Sequence, residues 1–223
     1  MDVLEAIKSR HSVRAYLDKP VEEGLVKEII EISSQSPSGV NSQPWKVYAV
    51  LGKARDSLVE EALKKFDEGS VESEEYQVYP GKDVMPDWYK ARQRACGFGM
   101  YGVLGIERDD MEKRIAQGRK NYEFFGAPVG LFVTVPKVVG PNGWGHVGHY
   151  IQTLCLAAKG KGLDTCLQEA WAGFPDTLRK HLGYGDDEIL WCGISLGYKD
   201  EDHIINSFVP EREKFENYAK IFK

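Results

Sequence analysis

Two short uncharged runs constrain this chain more than any other feature. Gly130-Leu131-Phe132-Val133-Thr134-Val135 is fenced by Pro128 and Pro136, and the run from Ile189 to Leu196 ends at Gly197. Runs this short, rich in β-branched residues and bounded by proline or glycine, read as buried strands. Shorter strand candidates lie at 46–51 and 165–168. Helical spacing fills most of the remainder: Leu25, Val26, Ile29, Ile30 and Ile32 recur on one face, and Val147, Tyr150, Ile151, Leu154, Cys155 and Ala158 form one stripe of a helix expected over 146–161. Further helices are predicted from Asp2 through Arg10, over 54–68, 86–104 and 109–122, and from Pro175 to Leu182. The polar stretch 69–83, rich in Glu and Ser, reads as a loop or a mobile excursion. Three or four strands separated by helices make the expected class α+β, a sheet wrapped by helices.

No internal repeat or low-complexity tract interrupts the 223 residues, so one large domain is expected. A compact monomer of this size would expose about 10,000 Å² and needs no staples. None of the four cysteines, Cys96, Cys155, Cys166 and Cys192, stands at CxxC spacing, which fits a reduced, cytoplasmic setting. No window is apolar enough to span a membrane, and the N-terminus lacks a basic start followed by an apolar stretch. A net charge of −5 argues against broad binding to nucleic acid. Any anion site must be local.

Such a site is offered by Arg10-His11-Ser12-Val13-Arg14, which places two guanidinium groups and a hydroxyl just past a helix, the donors that clamp a phosphate or carboxylate. Ser36-Pro37-Ser38-Gly39-Val40-Asn41-Ser42-Gln43 is a run of turn formers, and the amides of Asn41 and Gln43 suit the mixed edge of a heterocycle. Each segment alone also reads as ordinary surface. Gly97-Phe98-Gly99-Met100-Tyr101-Gly102 matches a dinucleotide fingerprint, but a charged helical stretch precedes it where a strand is required. Helix packing is the better reading. His146 and His149 stand one helical turn apart without a carboxylate or thiolate in ligand spacing, so no metal is expected. The basic residues between Arg108 and Lys120 are interspersed with acids, as on a solvated face. No nucleophile elbow or activated cysteine is present.

Taken in order, Arg10-His11-Ser12-Val13-Arg14 and then Ser36 through Pro44-Trp45 leading into a strand resemble the FMN-dependent nitroreductase family, and within it the nitrobenzoate-reductase-like subgroup. Gly162-Leu163-Asp164-Thr165-Cys166, Leu167-Gln168-Glu169-Ala170 and Ile194-Ser195-Leu196-Gly197-Tyr198 are similar to its later landmarks. The resemblance implies a single FMN-binding domain over 1–223 with a helical insertion at about 66–122, a central and mostly antiparallel sheet, and an intertwined homodimer with FMN at the subunit interface. It implies that Arg10, His11, Ser12 and Arg14 hold the phosphate and ribityl chain with Arg212 reaching the phosphate. Pro37, Ser38, Gly39 and Asn41 of the other subunit would border the isoalloxazine, and Gln168, Glu169 and Ala170 would lie near the flavin N5. Many relatives have glycine where Ala170 stands. The implied activity is hydride transfer from NADH or NADPH, bound transiently, through FMN to a nitroaromatic or quinone-like acceptor by a ping-pong cycle. Trp88, Tyr101, Phe124 and Phe125 are candidates to roof the acceptor pocket. A reductive dehalogenase, an ene reductase, a dehydrogenase and a non-enzymatic flavin-binding redox sensor remain alternatives on the same scaffold.

Overall fold

The computed structural model describes residues 1–70 and 72–223. Its centre is a four-stranded sheet in the order β1-β2-β4-β3, formed by β1 (Lys46–Leu51), β2 (Val129–Pro136), β3 (Asp164–Gln168) and β4 (Glu188–Gly197), and every pairing is antiparallel. The two uncharged runs are thus the two central strands, paired from Val129 opposite Leu196 to Pro136 opposite Glu188.

Alternation along β2 explains why that strand carries no charge. Val129, Leu131, Val133 and Val135 face a layer made by α2 (Glu23–Ser33) and α6 (Pro141–Gly160), against Val26, Ile29, Val147, Tyr150 and Leu154. Phe132 points to the opposite layer, where α3 (Gly52–Asp67), α7 (Pro175–Leu182) and two short 3-10 segments supply Leu58, Leu178, Phe124 and Trp171. Both faces are covered, so a polar position would be buried on either. A bulge between Val133 and Thr134 shifts the β4 register at Trp191, so that Leu190 and Cys192 join opposite layers although they are two residues apart.

α6 starts at Pro141 rather than near His146. The glycines that obscured its first turns serve close packing: a Cβ on Gly143 would meet Val139 at 2.4 Å, and one on Gly148 would meet Trp191 at 3.2 Å. Beyond the strap come α4 (Asp87–Val103) and α5 (Met111–Arg119), followed by a 3-10 segment over 120–126. Gly97 to Gly102 lies inside α4, and Gly99 lets Phe208 approach to within 2.3 Å of where a Cβ would stand. The stretch 72–80 is tied down. Glu72 accepts the Asp176 N–H at 2.7 Å and the Thr177 hydroxyl at 2.5 Å, and so caps α7, while Glu75 holds Arg179 at 2.8 Å and the Leu190 N–H at 3.1 Å. The expected loop is thus a strap anchored by two carboxylates over its described residues, residue 71 lying outside them.

Candidate active site

Residues 10–16 leave α1 (Val3–Ser9) in extended conformation and lie along the open edge of β3, with the Val13 N–H donating to Thr165 C=O at 3.1 Å and Tyr16 bridging to Lys199. Strand periodicity then sorts the side chains: His11, Val13 and Ala15 are buried, while Arg10, Ser12 and Arg14 share the partly open face. Neither arginine has a carboxylate partner among the described ion pairs. Both act on a buried thiol behind them: burial pushes Cys166 up, opposed by Arg14, Ser12 and Arg10. Arg14 Nη1 donates to Ser12 C=O at 3.3 Å, and no carboxylate among the described ion pairs balances the two charges.

His11 departs from the expectation that the whole pentapeptide addresses a ligand. Its imidazole turns inward, where Nδ1–H donates to Ser9 C=O at 3.1 Å and Nε2 has no partner. Alternation forces this, since its neighbours on both sides face out. One functional residue escaped the sequence altogether. Asn206, buried in the tail, accepts the Arg14 backbone N–H at 2.8 Å and donates to Ala15 C=O and Asp200 C=O, each at 2.8 Å. It locks the arginine segment in register. Its only signal was a lone amide beside Ile205 in a polar tail, and its partners are distant in sequence.

The 36–43 loop is held against α6. Gly39 N–H donates to His146 Nε2 at 3.0 Å, His149 Nδ1 donates to Pro37 C=O at 3.3 Å, and the Ser36 and Thr153 hydroxyls lie 2.8 Å apart. The two histidines that stand at metal spacing each use a ring nitrogen on this loop. Val40, Asn41 and Gln43 adopt φ of 48°, 56° and 44°, a left-handed conformation that costs a β-branched residue most. The Ser38 hydroxyl accepts the Gln43 N–H at 3.0 Å, and the Gln43 amide donates to Asn41 C=O at 3.2 Å. The Asn41 side chain makes no hydrogen bond among the described residues and projects from a fully stapled loop.

At the end of β3, Gln168 is buried, with its NH₂ on Asn121 C=O at 2.5 Å and its Oε1 unpartnered. Glu169 and Ala170 then open a 3-10 turn that no side chain caps, so their backbone N–H groups are not used by the turn itself. Tyr122 donates to Ala170 C=O at 3.2 Å, and Tyr79 donates to Glu169 Oε2 at 2.5 Å. Burial, and next the Glu169 carboxylate, raise the Tyr79 phenol well above its ordinary value, so it remains a proton donor.

The four candidate roofing aromatics divide. Trp88 is exposed on α4 with the Arg92 guanidinium 5.0 Å over its ring, and Tyr101 is half-buried with Arg114 at 4.1 Å. Phe124 and Phe125 are buried: Phe124 stacks on Trp171 at 4.9 Å and covers Gly130, where a Cβ would come within 2.2 Å of its ring. Phe124 and Trp171 fill glycine gaps in the two central strands, the second at Gly193, and Phe125 joins the same buried cluster. Arg212 lies in the exposed tail and donates to Pro210 C=O at 2.8 Å.

An antiparallel sheet covered by helices on both faces, with an unpaired basic row at its edge and an uncapped 3-10 turn at the end of the edge strand, defines a class of ligand-binding α+β domains, and the model described as "Nitroreductase family" matches residues 7–198. The chain belongs to the nitroreductase family. It is 36% identical over 214 residues to a 4-nitrobenzoate reductase of Nocardioides sp. (strain LMS-CY), covering 96% of this chain and 87% of that one. It is 34% identical to the 4-nitrobenzoate reductase of Pseudomonas putida, covering 96% and 92%. Among solved structures, the FMN and NADPH-dependent nitroreductase NfnB from a Sphingopyxis strain superposes with a TM-score of 0.93 at 35% identity over 100% of both chains. NfnB from Mycobacterium smegmatis, in complex with NADPH, gives 0.91 at 29% identity over 99% and 97%.

Proposed function

We propose that the chain is an FMN-dependent oxidoreductase that carries hydride from NAD(P)H to a nitroaromatic or quinone-like acceptor. The observation that carries this reading is the outward row Arg10, Ser12, Arg14, two guanidinium groups and a hydroxyl without a carboxylate among the described ion pairs. A phosphate dianion meets that donor set, because bidentate guanidinium contacts supply both charge and geometry. The fit extends to the rest of the site: Asn41 has a free amide for a pyrimidine edge, and the Glu169 and Ala170 N–H groups face no acceptor of their own turn.

Bound there, FMN would supply the two-electron redox chemistry between NAD(P)H and the acceptor, in a ping-pong cycle. The protein's part is orientation and electrostatics. Arg10 and Arg14 anchor the phosphate end, and Asn206 fixes the backbone from which they reach. Arg212, exposed in the tail, would add a third positive charge on reaching the phosphate. The backbone N–H groups at 169 and 170 would stabilise negative charge on a ring edge held beside them, as uncapped turn N-termini do. Tyr79, hydrogen-bonded to Glu169, keeps an exchangeable proton next to that edge.

The reading includes a homodimer in which Pro37, Ser38, Gly39 and Asn41 of one subunit border the ring held by the other. Apolar side chains left exposed on α1 and in the tail support it. Four free cysteines, three of them buried, are in keeping with a cytoplasmic enzyme. Among the described residues, no helix is long and apolar enough to cross a membrane. The test is the visible spectrum of the purified protein before and after anaerobic NADPH or NADH, followed by 4-nitrobenzoate or a quinone. A yellow protein that bleaches with nucleotide and recolours with acceptor is expected. A yellow protein that neither nucleotide bleaches would leave the flavin and overturn the reductase.

A further inference from the structure

The hairpin of α4 and α5 carries a second basic cluster that the flavin reading does not use. Gln93, Arg94, Gly97 and Phe98, one face of α4, meet Arg108 on the connecting loop and Arg114 on α5 around a cavity of about 420 Å³. None of these three arginines has a carboxylate partner among the described ion pairs, whereas the neighbouring Arg92 pairs with Glu213 and the nearby Asp110 is engaged by Lys113. Arg114 is steadied from behind, its guanidinium 4.1 Å over the Tyr101 ring. The floor is open, with nothing within 4 Å of where a Gly97 Cβ would stand, and the exposed Phe98 ring forms one wall.

Three like charges around one small cavity repel one another unless a counter-ion joins them, and in a chain of net charge −5 such a concentration is local and specific. Guanidinium forks match the oxygens of a phosphate or carboxylate, and a flat ring beside them receives a planar group. We propose that this cavity is an oxyanion subsite for a reactant of the enzyme, taking a negatively charged group carried on a planar molecule. This rests on the reading of the chain as a flavin reductase, and two reactants have that chemistry: NADPH, through its 2′-phosphate, and an acceptor bearing an aromatic carboxylate.

The double variant R94Q/R108Q tests it, since both side chains are exposed and bonded to nothing else, so folding is spared. FMN-loaded wild type and variant are titrated calorimetrically with NADP⁺, NAD⁺, 4-nitrobenzoate and nitrobenzene, which reads binding without turnover. If the phosphate is the ligand, NADP⁺ weakens by about tenfold or more while NAD⁺ is unchanged. If the carboxylate is, 4-nitrobenzoate weakens by about as much and nitrobenzene does not. A variant that binds all four within about twofold of wild type overturns the subsite. Failure of the flavin reading itself shows separately, as a colourless preparation before any titration.

Discussion

Gly39 has no room for a side chain because His146 occupies the space: a Cβ there would stand 2.9 Å from the imidazole Cε1, and the Gly39 N–H donates to the same ring. The imidazole therefore supports the loop that carries Asn41, by contact and by hydrogen bond together. Replacing His146 with Ala should weaken FMN binding by about five- to tenfold, the worth of one hydrogen bond plus added loop freedom. Glutamine, whose Oε1 accepts, should restore much of it. Equilibrium titration of FMN into the apo-protein checks both, and equal affinity for the two variants would remove the hydrogen bond from the account. Arg14 acts on the other end of the cofactor. Arg14→Ala should lower FMN affinity by roughly tenfold to a hundredfold, as loss of a charge-assisted contact does, and measured flavin content per chain should fall with it.

Elements are held in register by buried carboxylates that hydropathy could not reveal. Glu188, buried at the start of β4, receives Lys46 at 2.7 Å and the Tyr48 hydroxyl at 3.0 Å, together with the Thr134 hydroxyl, and so ties β1, β2 and β4 at one end. Burial alone would raise its pKa, but those three donors outweigh it and hold the group below the ordinary 4.5. Glu72 on the strap is likewise lowered from 4.5: burial opposes, while Lys65 and the Thr177 and Asp176 donors prevail. A folded pKa below the unfolded one gives stability that is complete above the unfolded value and is lost as pH falls through the folded value. Thermal stability should thus be level near neutrality and decline below pH 4.5. Glu188→Gln should cost about 1–3 kcal/mol near neutral pH and make the acid decline shallower, as melting curves across pH will show. The central strands, by contrast, were legible to within a residue or two. Runs 130–135 and 189–196 became Val129–Pro136 and Glu188–Gly197, because a strand covered on both faces must be apolar throughout. The arginine row was also legible, since five consecutive residues carry it. The strap, the start of α6 and Asn206 were not, because each depends on partners far along the chain: Glu72 on α7, Gly148 on Trp191, Asn206 on Arg14.

At the scale of the whole molecule, the single chain exposes too much. A compact monomer of 25.1 kDa should show about 10,000 Å². This one shows 13109 Å², an excess of roughly 3,000 Å² over that scaling. Part of the exposed surface is apolar: Leu4 and Ile7 on α1 are 62% and 50% exposed, and Ile221 and Phe222 lie open in the tail. Two copies that cover these surfaces would bury an area in the range of obligate homodimers, about 2,000–5,000 Å² in all. Sedimentation at micromolar concentration should therefore give twice 25.1 kDa. Placing a charge at Leu4 and at Ile7 removes about 1.5–3 kcal/mol of apolar burial per site in each subunit, and adds the cost of an unpaired charge. The Leu4→Asp/Ile7→Asp protein should be monomeric. It should also be colourless, because the Asn41 loop and the Arg10–Arg14 row would no longer meet across the interface. A folded monomer that keeps its full complement of FMN would place both on one chain, and the shared site would be wrong.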